Sequence, residues 1–250
     1  MAYYQSYNSQ SSPESTDILG NINRIFSTLG NKLEKDVKDH LKNVYGTLTL
    51  CLITATLGVI VNSVLGLYNW HFLFSIGSIG LMIALTATEA SRANEKKRLA
   101  YMFGLAFLVG CTTGPLIEYV GMSDPAIVFN AYVITMIVFG CFTMAALHAE
   151  STKFLHLGGI LSAGLLCLLI TSLFASYGFV HSIVLWGGLA LNCGFIVYDT
   201  QLIAEKRRRG DQDYIWHAVM LFIDFVNVFR YILILLKEKS DSDNRSKRRR

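Results

Sequence analysis

Seven long apolar runs divide the chain, at approximately 45–67, 71–89, 99–121, 125–148, 155–177, 181–203 and 214–236. Each is close to the roughly 20 residues that a helix needs to cross the hydrocarbon core of a bilayer. The runs are continuous rather than alternating, which predicts helices. In lipid, moreover, every backbone polar group must be satisfied within its own segment. Connections as short as YNWH and ESTK force neighbouring helices to run antiparallel. The expected fold is therefore all-α: a polytopic membrane protein built as a seven-transmembrane-helix bundle, with the seventh helix spanning or re-entrant. Three parts are expected. Residues 1–44 form a cytosolic amino-terminal tail with an amphipathic helix, INRIFSTLGNKLEKDVKDHLKNVY, along the inner surface. Residues 45–236 form the membrane domain, and residues 237–250 a basic carboxyl-terminal tail.

Composition agrees. Hydrophobic residues make up 52% of the chain, charged residues only 16%, and the mean hydropathy is +0.41. A soluble domain carries about 25% charged residues. The opening MAYYQSYNSQSSPESTD has no basic start and no apolar core, so the first crossing is expected to act as the targeting signal. All five cysteines lie inside apolar segments without paired spacing, and read as small buried hydrophobes. Pro115 is expected to kink the third helix. Gly110 with Gly114, and Gly158 with Ser162, mark expected close helix contacts.

The net charge of +4 matters less than its distribution. Basic residues fill the amino-terminal tail (Arg24, Lys32, Lys35, Lys38, Lys42). They also fill the second connection (Arg92, Lys96, Lys97, Arg98), the fourth (Lys153) and the sixth (Lys206 to Arg209). The first, third and fifth connections carry no Lys or Arg. Basic loops stay cytoplasmic, so six clean crossings start from a cytosolic amino terminus. A full seventh crossing would place the basic tail on the outside, against that rule. Asn244-Arg245-Ser246, the one N-x-S/T sequon, would then report the side of the tail.

Two carboxylates interrupt the last two apolar runs, Asp199 in GFIVYDTQLIA and Asp224 in YIWHAVMLFIDFVNVF. Positions seven apart share a helix face about 10 Å along the axis. Asn192 and Asp199 are spaced so, as are His217, Asp224 and Tyr231, with Asn227 three residues beyond Asp224. Each helix thus carries a narrow polar stripe, which is expected to face inward and to meet its neighbour. Asp199 lies near the cytosolic end of its run and Asp224 about three turns into the next. Matched depths therefore require helical extension or a sunken loop around EKRRRGDQD. Carboxyl groups in contact cannot both ionise cheaply and hold a shared proton. A protonated pair draws the helices together, and a singly or doubly charged pair repels and attracts a cation, so the expectation is a proton-sensitive latch. His217 reads as a hydrogen-bonding core residue, and Arg230 as a snorkelling or paired one. Glu118 and Asp124 read as interfacial charges, and His148 and His156 lack ligand spacing.

VYDTQLI, LFIDFVNVF and the seven-segment layout with GCTTGPLIEY resemble the Bax inhibitor-1 family, also called the transmembrane BAX inhibitor motif family, over roughly residues 25–236. The basic tail SKRRR is most similar to its endoplasmic reticulum branch. The resemblance implies a pH-sensitive calcium leak of the reticulum membrane that suppresses apoptosis. Asp199 and Asp224 would be its sensing and gating pair and would touch calcium in transit. Asn192 and Asn227 would assist the ion path, and Arg98, with Lys96 and Lys97 as alternatives, would support the latch. The second segment, FSIGSIGLMIALTA, lacks the acidic residue that bacterial relatives place there. Expected partners are membrane lipid, calcium as the transported ion and cell-death regulatory membrane proteins. No cofactor and no nucleic acid are expected.

Two other readings compete. Paired intramembrane aspartates also suit an aspartyl protease. Those enzymes surround the second aspartate with GxGD, whereas LFID is bulky, and no PAL motif follows, so no enzyme activity is expected. A non-conducting membrane scaffold that regulates cell-death partners through the basic tail is the other alternative.

Overall fold

The computed structural model describes residues 34–149, 155–173 and 178–248. The amino-terminal tail through residue 33, Lys153 and the last two arginines lie outside the described residues. Among the described residues every element is helical: α1 (Lys35–Leu65), a 3₁₀ turn (Leu67–Trp70), α2 (His71–Ala87), α3 (Glu95–Gly121), α4 (Pro125–His148), α5 (Leu157–Ser172), α6 (Gly178–Arg208) and α7 (Tyr214–Arg248). Six have the length and apolarity to cross a membrane, and α5 is a shorter apolar helix. The protein is an all-α polytopic membrane protein.

Large apolar side chains project outward along these helices, including Leu50, Ile53, Leu57 and Ile60 on α1 and Phe72, Ile76, Ile79 and Ile83 on α2. In water such a surface would drive aggregation; in a bilayer it is the lipid-facing belt. The core instead gathers around α7, with Phe222, Leu221, Val219 and Leu233 fully buried.

α1 and α3 pack backbone to backbone. A methyl group at Gly110 would lie 2.0 Å from the Ala55 carbonyl oxygen, and one at Gly58 would lie 2.2 Å from that of Phe107. Gly114 makes room for the Asn62 side chain, and Gly158 for the ring of Tyr198. α3 runs unbroken through Pro115.

Two helices extend further than their apolar runs. α1 begins at Lys35, so the part of the amphipathic segment described here continues into the first crossing, with Val37, Leu41 and Val44 buried. α7 is one continuous helix that crosses the bundle and does not re-enter. Its far end lies against the third connection and the start of α6. There Lys237 sits over the Tyr119 ring at 5.6 Å, and His181 Nε2 meets Glu238 Oε1 at 2.6 Å. Ser123, Asp124, Lys239 and Asn244 line a shared hollow of about 430 Å³. The tail therefore ends at the opposite end of the bundle from the basic connections.

Candidate functional site

Asp199 and Asp224 meet because α6 outlasts its apolar run. α6 continues to Arg208, nine residues beyond Asp199, and α7 starts at Tyr214, ten residues before Asp224. At about 1.5 Å per residue both carboxylates lie roughly 14–15 Å from the turn that joins the helices. Gly210, at φ 98°, makes that turn: the Asp211 amide donates to the Lys206 carbonyl at 3.0 Å, closing a Schellman-type cap. The carboxyl groups are in hydrogen-bond contact, with residue exposures of 8% and 6%. Two carboxyl groups hydrogen-bond to each other only when at least one carries a proton. Asp224 Oδ2 is buried without a hydrogen-bond partner.

Asn192 is buried and donates to the Gly188 carbonyl of its own helix at 2.8 Å. Asn227 is half-buried on α7. Tyr231 packs on Gly188, where an added methyl group would come within 2.4 Å of the ring. Among the described residues no three His, Cys, Asp or Glu side chains converge to hold a metal.

Arg98 does not touch the aspartates. It forms a two-pronged ion pair with Asp213 at the mouth of the α6–α7 turn, Nη1 to Oδ1 at 2.7 Å and Nη2 to Oδ2 at 2.6 Å. Both side chains are largely buried, at 6% and 16% exposure. Asp213 also caps α7 by accepting from the Trp216 amide at 3.1 Å. Burial alone would raise the pKa of this carboxyl, but the Arg98 guanidinium and the Trp216 amide outweigh it and hold it below the usual carboxylate value. Next to the pair, the Tyr214 hydroxyl donates to Glu95 at 2.5 Å. α3 is thus fastened to the start of α7.

This bundle, its fastening and its facing carboxyls can be compared with known proteins. Residues 37–241 match the family described as inhibitor of apoptosis-promoting Bax1. The chain belongs to this family. It is similar to human Bax inhibitor 1, 40% identical over 214 residues that make up 84% of this chain and 90% of the human protein. It is 41% identical to the mouse Bax inhibitor 1 over 202 residues, 80% of this chain and 85% of that protein. The similarity extends to plants: Bax inhibitor 1 of Arabidopsis thaliana is 38% identical over 215 residues, 83% of this chain and 84% of its own length.

In this family member the partners of several polar groups escaped the sequence reading. Asp213 and Glu95 sit in hydrophilic stretches that read as ordinary loop or helix-end charge. His40 of α1 hydrogen-bonds His217 of α7, Nε2 to Nδ1 at 2.8 Å, across 177 residues that carry no periodic signal. Arg230 is held by neutral oxygens, Nε to Thr113 Oγ1 at 3.1 Å and Nη2 to Thr112 Oγ1 at 3.3 Å. Glu118 is taken by Tyr68, and Asp124 caps α4 through the Ala126 amide. All five cysteines are free; Cys51, Cys111 and Cys193 are buried, and Cys141 and Cys167 face outward.

Proposed function

We propose that this protein suppresses cell death as a proton-gated calcium leak of the endoplasmic reticulum membrane, with its amino terminus in the cytosol. The gate is the pair Asp199 and Asp224. With one proton between them the groups form a charge-assisted hydrogen bond, which is short and roughly twice as strong as a neutral one. That bond holds α6 to α7 and closes the path, so the singly charged pair attracts, and does not repel as the expectation from charge alone had it. Acidification adds the second proton, replaces the strong bond with a weak neutral one and lets the helices part, so the leak rises as pH falls. The two carboxylates, with Asn192 and Asn227 along the same helices, are sparse oxygen contacts for a passing cation, which suits an ion that must also leave.

The observation that supports this reading is the contact between two carboxyl groups inside an otherwise apolar bundle. Intramembrane ionisable groups are costly and mark ion or proton pathways. The similarity to Bax inhibitor 1 proteins supports the role in cell death. Arg98 acts on the latch at one remove, by fixing the start of α7 through Asp213.

Reconstitution separates this reading from a scaffold. Purified protein in calcium-loaded liposomes releases calcium faster at pH 6 than at pH 8. A protein that passes no ion at either pH, yet loses protection of cells when the tail beyond Leu236 is removed, is a scaffold.

A further inference from the structure

Pro115 lies inside α3, in the turn that follows Cys111. A proline has no amide proton, so the Cys111 carbonyl, four residues earlier, loses the donor that an α-helix ordinarily gives it. Inside a membrane no solvent makes good that loss. A proline is tolerated there where neighbouring side chains or ordered water meet the freed group. The Cys111 side chain is turned to another task, its thiol donating to the Gly58 carbonyl of α1 at 3.3 Å.

Across the same seam, Asn62 of α1 has a complementary need. It is 0% exposed, and neither its Nδ2 nor its Oδ1 has a hydrogen-bond partner. Among the described residues it is the one side chain with two buried polar atoms unmet. The amide rests on Gly114, where an added methyl group would come within 2.8 Å of Nδ2. One turn earlier on α1, Gly58 lies against Cys111, and a methyl group there would be 3.2 Å from the Cys111 amide nitrogen. The Gly58–Asn62 turn of α1 therefore runs alongside the Cys111–Pro115 turn of α3. A helical carbonyl points along the axis toward the residue four ahead. That of Cys111 thus opens at the level of Gly114 and Pro115, where the Asn62 amide sits, with no direct bond between the two.

We propose that Asn62 and the Cys111 carbonyl form a binding site for ordered water inside the membrane. The water accepts from Asn62 Nδ2 and donates to the Cys111 carbonyl, and so stands in for the hydrogen bond that Pro115 removes. Asn62 is then the residue that lets α3 run unbroken through a proline. Bound water needs two to four polar partners, and an apolar void of the same size stays dry. Here a side-chain amide supplies a donor and an acceptor, and the carbonyl supplies a second acceptor. Native interiors leave few such groups unmet. The site stands apart from the aspartate pair, and it holds whether or not the protein conducts calcium.

One substitution in two backgrounds tests the site. Asn62→Leu keeps the size of the side chain and removes its polar atoms. In the otherwise unchanged full-length protein it is expected to lower the folded-to-unfolded ratio on the order of tenfold, because the Cys111 carbonyl is left unmet. Pro115→Ala restores the missing amide donor. In that background Asn62→Leu is expected to raise the ratio instead, because the Asn62 amide has lost its partner. Denaturant unfolding in detergent micelles reads both effects. Stabilisation by Asn62→Leu in both backgrounds would reveal a dry, unpaired amide, and equal destabilisation in both would assign Asn62 to some other contact. Either result overturns the site. A second measurement uses the unsubstituted protein, isotope-labelled and otherwise deuterated, in micelles. The assigned side-chain amide of Asn62 should receive magnetisation from a long-lived bound water. An amide that receives none overturns the site even where Asn62→Leu fails to fold.

Discussion

Breaking the Arg98–Asp213 pair is the perturbation whose size the structure specifies most closely. Both partners are largely buried, at 6% and 16% side-chain exposure, and they meet through two parallel bonds. Removing one partner from such a pair leaves an uncompensated charge and costs about 3–5 kcal/mol, whereas replacing both is close to neutral. Asp213 has a second task as the cap of α7, worth about 1 kcal/mol. Asn caps as well as Asp, so three variants separate the two contributions. Asp213→Asn loses the ion pair alone, Asp213→Ala loses about 1 kcal/mol more, and the double variant Arg98→Met with Asp213→Asn recovers most of the loss. The pair also titrates. The folded pKa of Asp213 lies below its unfolded value of about 3.9, so its stabilisation is fully present above that value and is lost as pH falls through the folded pKa. The gap between wild type and Asp213→Asn should stay constant from about pH 5 to pH 8 and close below about pH 4. Thermal and denaturant unfolding in detergent micelles measures each gap. Single variants that cost less than about 1 kcal/mol, or a double variant as damaged as the sum of its parts, would refute the reasoning.

Gly110→Ala pushes a methyl group into the Ala55 carbonyl, where neither backbone can yield without parting α1 from α3. A loss of about 1–3 kcal/mol or more is expected in the same unfolding assay, and an unchanged midpoint would contradict the close packing. Asn244 lies at the end of the bundle opposite the basic connections. In microsomes it should become glycosylated if that end is lumenal, with the shift in mobility abolished by Asn244→Gln; a protected, unmodified tail would place it in the cytosol.

The helices were legible because lipid enforces long apolar runs, but their ends were not. α1 and α6 continue past the hydrophobic boundary through Lys35–Val44 and Glu205–Arg208, where charged residues favour helix as readily as they favour water. The extension of α6 is what levels Asp199 with Asp224, and this was one of two solutions the spacing left open. The course of α7 was undecidable from charge alone, since the crossing sets a basic tail against the charge rule; packing of Lys237 and Glu238 against Tyr119 and His181 makes it a crossing. The polar stripes were visible as heptad spacing. The partners of Arg98 and His217 were not, because Asp213 and His40 belong to segments 115 and 177 residues away and look like turn and surface residues in isolation.

Calcium release from liposomes at pH 6 and pH 8, compared among wild type, Asp199→Asn and Asp224→Asn, tests the gate most directly. The account predicts several-fold faster release at pH 6 for the wild type and nearly equal release at the two values for each folded variant. A wild-type acceleration that survives intact in both variants would show that the proton acts somewhere else.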